Sequence, residues 1–265
     1  MKIVVRISSL NNRRPAIRRG RSNSTVRTIL GSIGLAAAIN VTQGSSQESI
    51  VLLHGLGRTS LSMKRLEWHF RGQGYRVINR TYPSHRKMIE PLADEWLESL
   101  LASKISTSDS KVHFVTHSLG GIVLRQYLCN HHLPNLGRVV MLAPPNQGSE
   151  LADFLSRYGF FRWLIGPSFA QLGTAETCLP QQLKAVDFPL GVIAGDQSSN
   201  PIFSKFIPGL NDGKVAVERT RARGMSDFLV QHQSHTWLMW RQSTLDQISH
   251  FLIHGRFFPF TPDAR

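Results

Sequence analysis

HFVTHSLGGIVLR, from His113 to Arg125, is the stretch on which the fold turns. A β-branched and aromatic run ends at Ser118, and an apolar stretch of helical character opens behind it with Gly120 and Gly121. A serine at the break between a buried strand and a helix has its Oγ pushed out of the sheet by the tight turn. The backbone N–H groups and positive dipole end of the helix lie directly behind it. Gly120 and Gly121 let that helix approach neighbouring strands where a Cβ would collide. The pattern is that of a nucleophile elbow, G-x-S-x-G, with one departure: the first position is Thr116, giving T-H-S-L-G. The bland alternative is a buried serine at an ordinary strand–helix turn.

Upstream, SIVLLHGLGRTS (Ser49–Ser60) is a second apolar strand, ending in His-Gly-Leu-Gly. A nucleophilic serine needs donors for the oxyanion of its tetrahedral intermediate. One is the N–H of the following residue, Leu119; the other comes from the loop after an earlier strand, here Leu56. Gly55 and Gly57 leave that loop free to turn its backbone toward the site, and His54 reads as a residue that orders the loop. Neither G-x-x-x-x-G-K-[ST] nor G-x-G-x-x-G occurs, which argues against a nucleotide site.

A base and an acid should follow the serine in chain order, acid first. His235, in Gln233-Ser234-His235-Thr236 after a strand-like run, is the candidate base, with His232 as its rival. Asp212, in Asn211-Asp212-Gly213, is the favoured acid, because it could accept from the imidazole Nδ1–H and fix the tautomer. Asp196, directly after the strand-like Leu190–Gly195, is the alternative acid, and both remain open at this level.

Four motifs in order resemble the small bacterial lipase/esterase branch of the α/β-hydrolase superfamily. They are V-x-L-H-G-L-G at Val51–Gly57, T-H-S-L-G-G at Thr116–Gly121, P-P-N-x-G-S at Pro144–Ser149 and D-G-x-V at Asp212–Val215. The resemblance spans about Ile50 to Phe257, and Thr116 resembles what this branch tolerates at the elbow. It implies Ser118 as nucleophile, Asp212 as acid, His235 as base and the Leu56 and Leu119 amides as the oxyanion hole. The activity implied is hydrolysis of carboxylic esters through an acyl-enzyme. The alternatives are an acyltransferase or thioesterase with the same triad, or a binding protein on a hydrolase fold.

The organisation agrees. Buried-strand runs at Ile50–Leu53, Tyr75–Ile78, Val112–Thr116, Arg138–Leu142, Leu190–Ala194 and Asp227–Val230 alternate with helical patterns at Ser60–Arg71, Pro91–Lys104, Leu119–His131 and Leu245–His254. This predicts an α/β fold of α/β-hydrolase type, with a reduced, mostly parallel six-stranded sheet and helices on both faces. One domain is expected over 49–265. An insertion at about 149–187, rich in Leu151, Phe154, Leu155, Tyr158, Phe160, Phe161, Trp163, Leu164 and Ile165, is expected to form a small apolar cap or else to complete the core. A cap so lined suits an ester with an apolar acyl or aromatic group, presented free or at a lipid surface.

Residues 1–48 differ in kind. Of 31 basic side chains in the 265-residue chain, eight (Lys2, Arg6, Arg13, Arg14, Arg18, Arg19, Arg21, Arg27) precede the first acid, Glu48; removing them lowers the net charge from +14 to +6. Ile29–Ala38 follows as a short apolar stretch ending in Ala36-x-Ala38, a signal-like arrangement pointing to periplasmic or secreted export, with a cytoplasmic enzyme carrying a basic tail as the alternative. The arm lacks interleaved aromatics and no reading module follows, which argues against nucleic acid. Cys129 and Cys178 have no zinc-type spacing, and no cofactor or metal is expected. A single disulfide would suit an oxidising compartment, though nothing in the sequence brings the two together.

Overall fold

The computed structural model describes residues 47–106, 109–199 and 201–259. The signal-like stretch of the N-terminal segment lies outside them. Six parallel strands form one sheet in the order β2-β1-β3-β4-β5-β6: β1 (Ser49–Leu53), β2 (Arg76–Asn79), β3 (Val112–His117), β4 (Leu136–Leu142), β5 (Leu190–Gly195) and β6 (Asp227–Gln231). Each matches an expected run to within two residues, and the sheet is wholly parallel.

Both faces are covered, as the near-continuous apolar runs require. Alternate residues of one strand serve opposite layers. Val51, Leu53, Phe114 and Met141 pack with α2 and α3, whereas Ile50, Leu52, Val115 and Val140 pack with α1 and α9. Helix α1 is Lys64–Gly72, entered through a short 3-10 turn at Ser60–Met63. Helix α2 runs through Ile89–Pro91, a π-helical Leu92–Leu97 and Glu98–Lys104. It starts earlier than expected because Pro91, in the first turn, gives up an N–H that has no partner there. Helix α3 is Leu119–Asn130. After β4 come α4 (Glu150–Ser156), α5 (Gly159–Ile165), α6 (Pro167–Ala170) and α7 (Leu179–Gln182); α8 (Pro201–Ser204) follows β5. The chain closes with α9 (Gln242–His254), whose polar first turn of Gln242, Ser243 and Thr244 hid its start from hydrophobic periodicity.

Strand order reverses between β1 and β3, with β2 lying to one side and β4 to the other. Loops leaving the carboxyl ends of two such strands diverge and leave a crevice. Those loops are the Gly55–Arg58 turn after β1 and Ser118 after β3.

Arg125 had no assigned role in the sequence, and it is buried on α3. Its guanidinium donates to Asn146 O at 3.1 Å, Asn146 Oδ1 at 3.2 Å, Leu183 O at 3.3 Å and Lys184 O at 3.0 Å. Asn146 Nδ2 in turn donates to Thr220 O at 2.8 Å. Burial lowers the Arg125 pKa to about 10. The Pro144–Ser149 motif thus serves as a clasp between α3, the end of the 149–187 segment and the loop carrying Asp212. Cys129 and Cys178 are both free thiols.

Candidate active site

Ser118 occupies the N-cap of α3 with φ 52° and ψ −123°. A non-glycine residue in this region is strained, at a cost of roughly 1–3 kcal/mol, and persists only where the surroundings hold it. Here they do: Ser118 N–H donates to Leu142 O at 2.8 Å, and its carbonyl accepts from Gly121 N–H at 2.9 Å. Gly120 makes the turn possible, because a Cβ there would lie 2.6 Å from Leu53 O.

The loop after β1 closes as a turn, with Arg58 N–H donating to Gly55 O at 3.2 Å. Gly57 takes φ 63° at its third position, the left-handed conformation that favours glycine. Gly57 N–H donates to Ser84 Oγ at 3.0 Å. His54 braces the loop from below: its Nδ1–H donates to Gly55 O at 2.8 Å, its Nε2 accepts from Tyr82 N–H at 3.1 Å, and its ring stacks on Tyr82 at 4.1 Å. Burial holds its pKa below the ordinary histidine value, consistent with a neutral, structural imidazole. Among the described residues, neither Leu56 N–H nor Leu119 N–H has an acceptor.

His235 and Asp212 are buried together. His235 Nδ1–H donates to Asp212 Oδ2 at 2.7 Å, while Asp212 Oδ1 accepts from Lys214 N–H at 2.9 Å and Val215 N–H at 2.8 Å. His235 N–H also donates to Asp212 O at 3.1 Å, and Ser149 Oγ–H donates to Lys214 O at 2.8 Å, so both loops are pinned. The rivals pair with each other: Asp196 Oδ1 sits 3.0 Å from Nδ1 of the exposed His232, and neither lines the cavity at Ser118.

That cavity has a volume of about 530 Å³, and Leu56, Ser118 and His235 all line it. No hydrogen bond joins Ser118 Oγ to the imidazole among the described residues; such bonds often tighten only once substrate is bound. Of the aromatic and aliphatic residues expected in a cap, Leu151, Leu155, Leu164 and Ile165 line the cavity, joined by Phe169, Leu172 and Phe203. Phe154 stacks on Phe206 at 4.1 Å, and Tyr158, Phe160 and Trp163 are exposed. The side chain of Phe161 lies outside the described residues.

The chain belongs to the alpha/beta hydrolase family, whose profile it matches over residues 50–254. Among solved structures it resembles the mature lipase BlEst2 of Bacillus licheniformis, at 19% identity over 80% of this chain and 93% of that one, with a TM-score of 0.60. It resembles phospholipase PlaB of Legionella pneumophila at 19% identity over 71% of this chain and 53% of that one, with a TM-score of 0.57. A metagenomic carboxyl esterase, MGS0156, aligns at 20% identity over 73% of this chain and 66% of that one, with a TM-score of 0.53. At these identities the likeness is one of fold. No match is found among curated proteins.

One further residue shapes the site. His117, buried beside His235 with ring centroids 4.8 Å apart, donates from Nε2 to His235 O at 2.9 Å. Burial and the neighbouring His235 hold its pKa well below 6.5. Burial also depresses His54 and His113. In the unfolded chain these imidazoles take a proton near 6.5, and in the folded protein only at lower pH. The unfolded state therefore binds more protons as pH falls, and stability, full above about 6.5, declines from there until the folded pKa values are passed. Each pH unit of depression costs ~1.4 kcal/mol per histidine. The urea midpoint is expected to be lower at about pH 5 than at about pH 7.5, and less so in His117→Asn; equal midpoints would contradict this reading.

Proposed function

We propose that the protein hydrolyses carboxylic esters through an acyl-enzyme on Ser118. The observation that carries the reading is the buried Asp212–His235 pair opening onto the same cavity as a serine in strained elbow geometry. In this reading His235 Nε2 takes the Ser118 Oγ proton as the oxygen attacks the ester carbon. The carbonyl electron pair moves onto the oxygen, held by the Leu56 and Leu119 N–H groups, each such donor being worth roughly 3 kcal/mol. The intermediate collapses, the alcohol leaves with the proton returned by His235, and the acyl group stays on Ser118. Water then repeats the sequence, freeing the acid and restoring the serine. Asp212 accepts from the imidazole Nδ1–H throughout and stabilises the imidazolium.

The apolar wall supports an aliphatic or aromatic acyl group as substrate. Phe160, Trp163, Ile202 and Leu210, exposed on segments that also supply Leu164 and Phe203 to the wall, support contact with a lipid surface. The test is a p-nitrophenyl ester series from acetate to octanoate. kcat/KM is expected to rise by roughly fourfold per added methylene while the chain still fits, from ~0.8 kcal/mol per buried CH₂. No turnover of any ester, with thioesters or amides cleaved instead, would overturn the proposal.

A further inference from the structure

Two cations open onto a cavity that is otherwise mostly apolar: Arg58, from the turn after β1, and Lys214, from the turn carrying Asp212. Among the described residues, no Asp or Glu lines it. Among the described residues neither cation forms a salt bridge, although Arg219, Arg76 and Lys64 elsewhere all do. Arg58 Nη2 donates to the neutral Thr236 Oγ1 at 2.8 Å. The carboxylate nearest in sequence to Lys214, Asp212, already has both oxygens engaged, Oδ2 with His235 and Oδ1 with two backbone N–H groups. Burial lowers the pKa of Arg58; burial and then Arg58 lower that of Lys214, with the Asp212 carboxylate acting in the opposite direction without reversing the shift. Two like charges thus share one partly desolvated site, neither of them in a salt bridge and the nearby Asp212 carboxylate already committed to His235 and to backbone N–H groups, an arrangement that an incoming anion stabilises.

Their placement says which half of the substrate carries that anion. In the ester reading, on which this inference rests, His235 returns its proton to the departing alcohol, so the alcohol half lies on the His235 side. Arg58 is tied to that side directly, and Lys214 through the turn that holds the acid partner of His235. Arg58 is bonded to Thr236, the residue after His235, and Lys214 lies within the turn whose N–H groups hold Asp212. The apolar wall from Leu151, Leu155, Ile165 and Phe169 remains for the acyl chain.

We propose that Arg58 and Lys214 form a subsite for an anionic group on the alcohol half of the ester, so that the preferred substrate pairs an apolar acyl chain with a phosphate- or carboxylate-bearing alcohol. A planar guanidinium beside a flexible ammonium suits either anion.

The experiment uses matched pairs. Hexanoylglycerol is compared with hexanoylglycerol phosphate, and the hexanoyl ester of glycolamide with that of glycolate. Each pair differs by one anionic group on the alcohol. The anionic member is expected to show a kcat/KM higher by ~tenfold or more at low salt, shrinking as ionic strength rises. In Arg58→Gln/Lys214→Gln that ratio falls to near one, and in Arg58→Lys/Lys214→Arg it is largely kept. Preference in the phosphate pair alone identifies a phosphoester headgroup; preference in both identifies anionic alcohols generally. No preference in either pair, or a preference that survives the glutamine double variant, overturns the proposal. Calorimetric titration of the same compounds into Ser118→Ala separates this outcome from failure of the ester reading. Tighter binding of the anionic member without turnover by the unaltered protein would keep the subsite and remove the hydrolysis. Turnover without preference would do the reverse.

Discussion

Alanine at position 118 is expected to lower kcat on a p-nitrophenyl ester by roughly 10⁶-fold, the scale seen when the nucleophile of a serine triad is removed. Stability should move by no more than about 0.5 kcal/mol, because alanine carries the same Cβ through the same φ of 52°. Glycine separates the two effects further. It meets that φ without the Cβ penalty, so Ser118→Gly should be as inactive as Ser118→Ala yet more stable, by up to ~1 kcal/mol. Steady-state kinetics with urea unfolding of all three proteins checks this. Retained turnover in either variant would remove Ser118 from the chemistry.

The second large effect follows from how Asp212 is held. Its Oδ1 accepts from the N–H groups of Lys214 and Val215, and its Oδ2 faces His235 Nδ1 at 2.7 Å. In Asp212→Asn the backbone donors retain the amide oxygen at the Oδ1 position, which turns the NH₂ toward His235. The imidazole must then accept at Nδ1 and carry its proton on Nε2, the atom that has to take the proton from Ser118. A loss of about 10⁴-fold in kcat is expected with little change in stability, as for a triad locked in the wrong tautomer. Asp196→Asn, altering a carboxylate paired with the exposed His232, should change kcat by less than about twofold. Equal losses in the two variants would reverse the assignment of the acid.

What the sequence made legible is what local chemistry dictates. The β-branched run into Ser118 and the paired glycines behind it are readable because only a few residue types permit that turn. Asp212 was favoured over Asp196 as the carboxylate able to accept from the imidazole Nδ1–H, although its Asn-Asp-Gly context alone reads as ordinary turn chemistry; the structure brings Asp212 to His235 and Asp196 to His232. Arg125 was not legible. In an apolar helix a lone arginine reads as a solvated side chain, and its carbonyl partners come from Asn146, Leu183 and Lys184, distant in sequence. The register shift where β3 meets β4, between Val112 and Phe114, was equally hidden: it falls where His113 Nδ1 accepts from Arg138 N–H at 2.8 Å, a contact between strands distant in sequence. The apolar 149–187 segment announced its composition but not which side chains face inward. Four short helices divide it, and only their packing sends Leu151, Leu155 and Ile165 into the cavity while leaving Trp163 outside.

Rapid acid quenching of p-nitrophenyl hexanoate turnover, followed by peptide mapping, tests the central claim most directly. A hexanoyl adduct on Ser118, formed with a burst of p-nitrophenol near one equivalent and lost on further incubation with water, is the result predicted. Turnover with no adduct, or an adduct on any other residue, would contradict it.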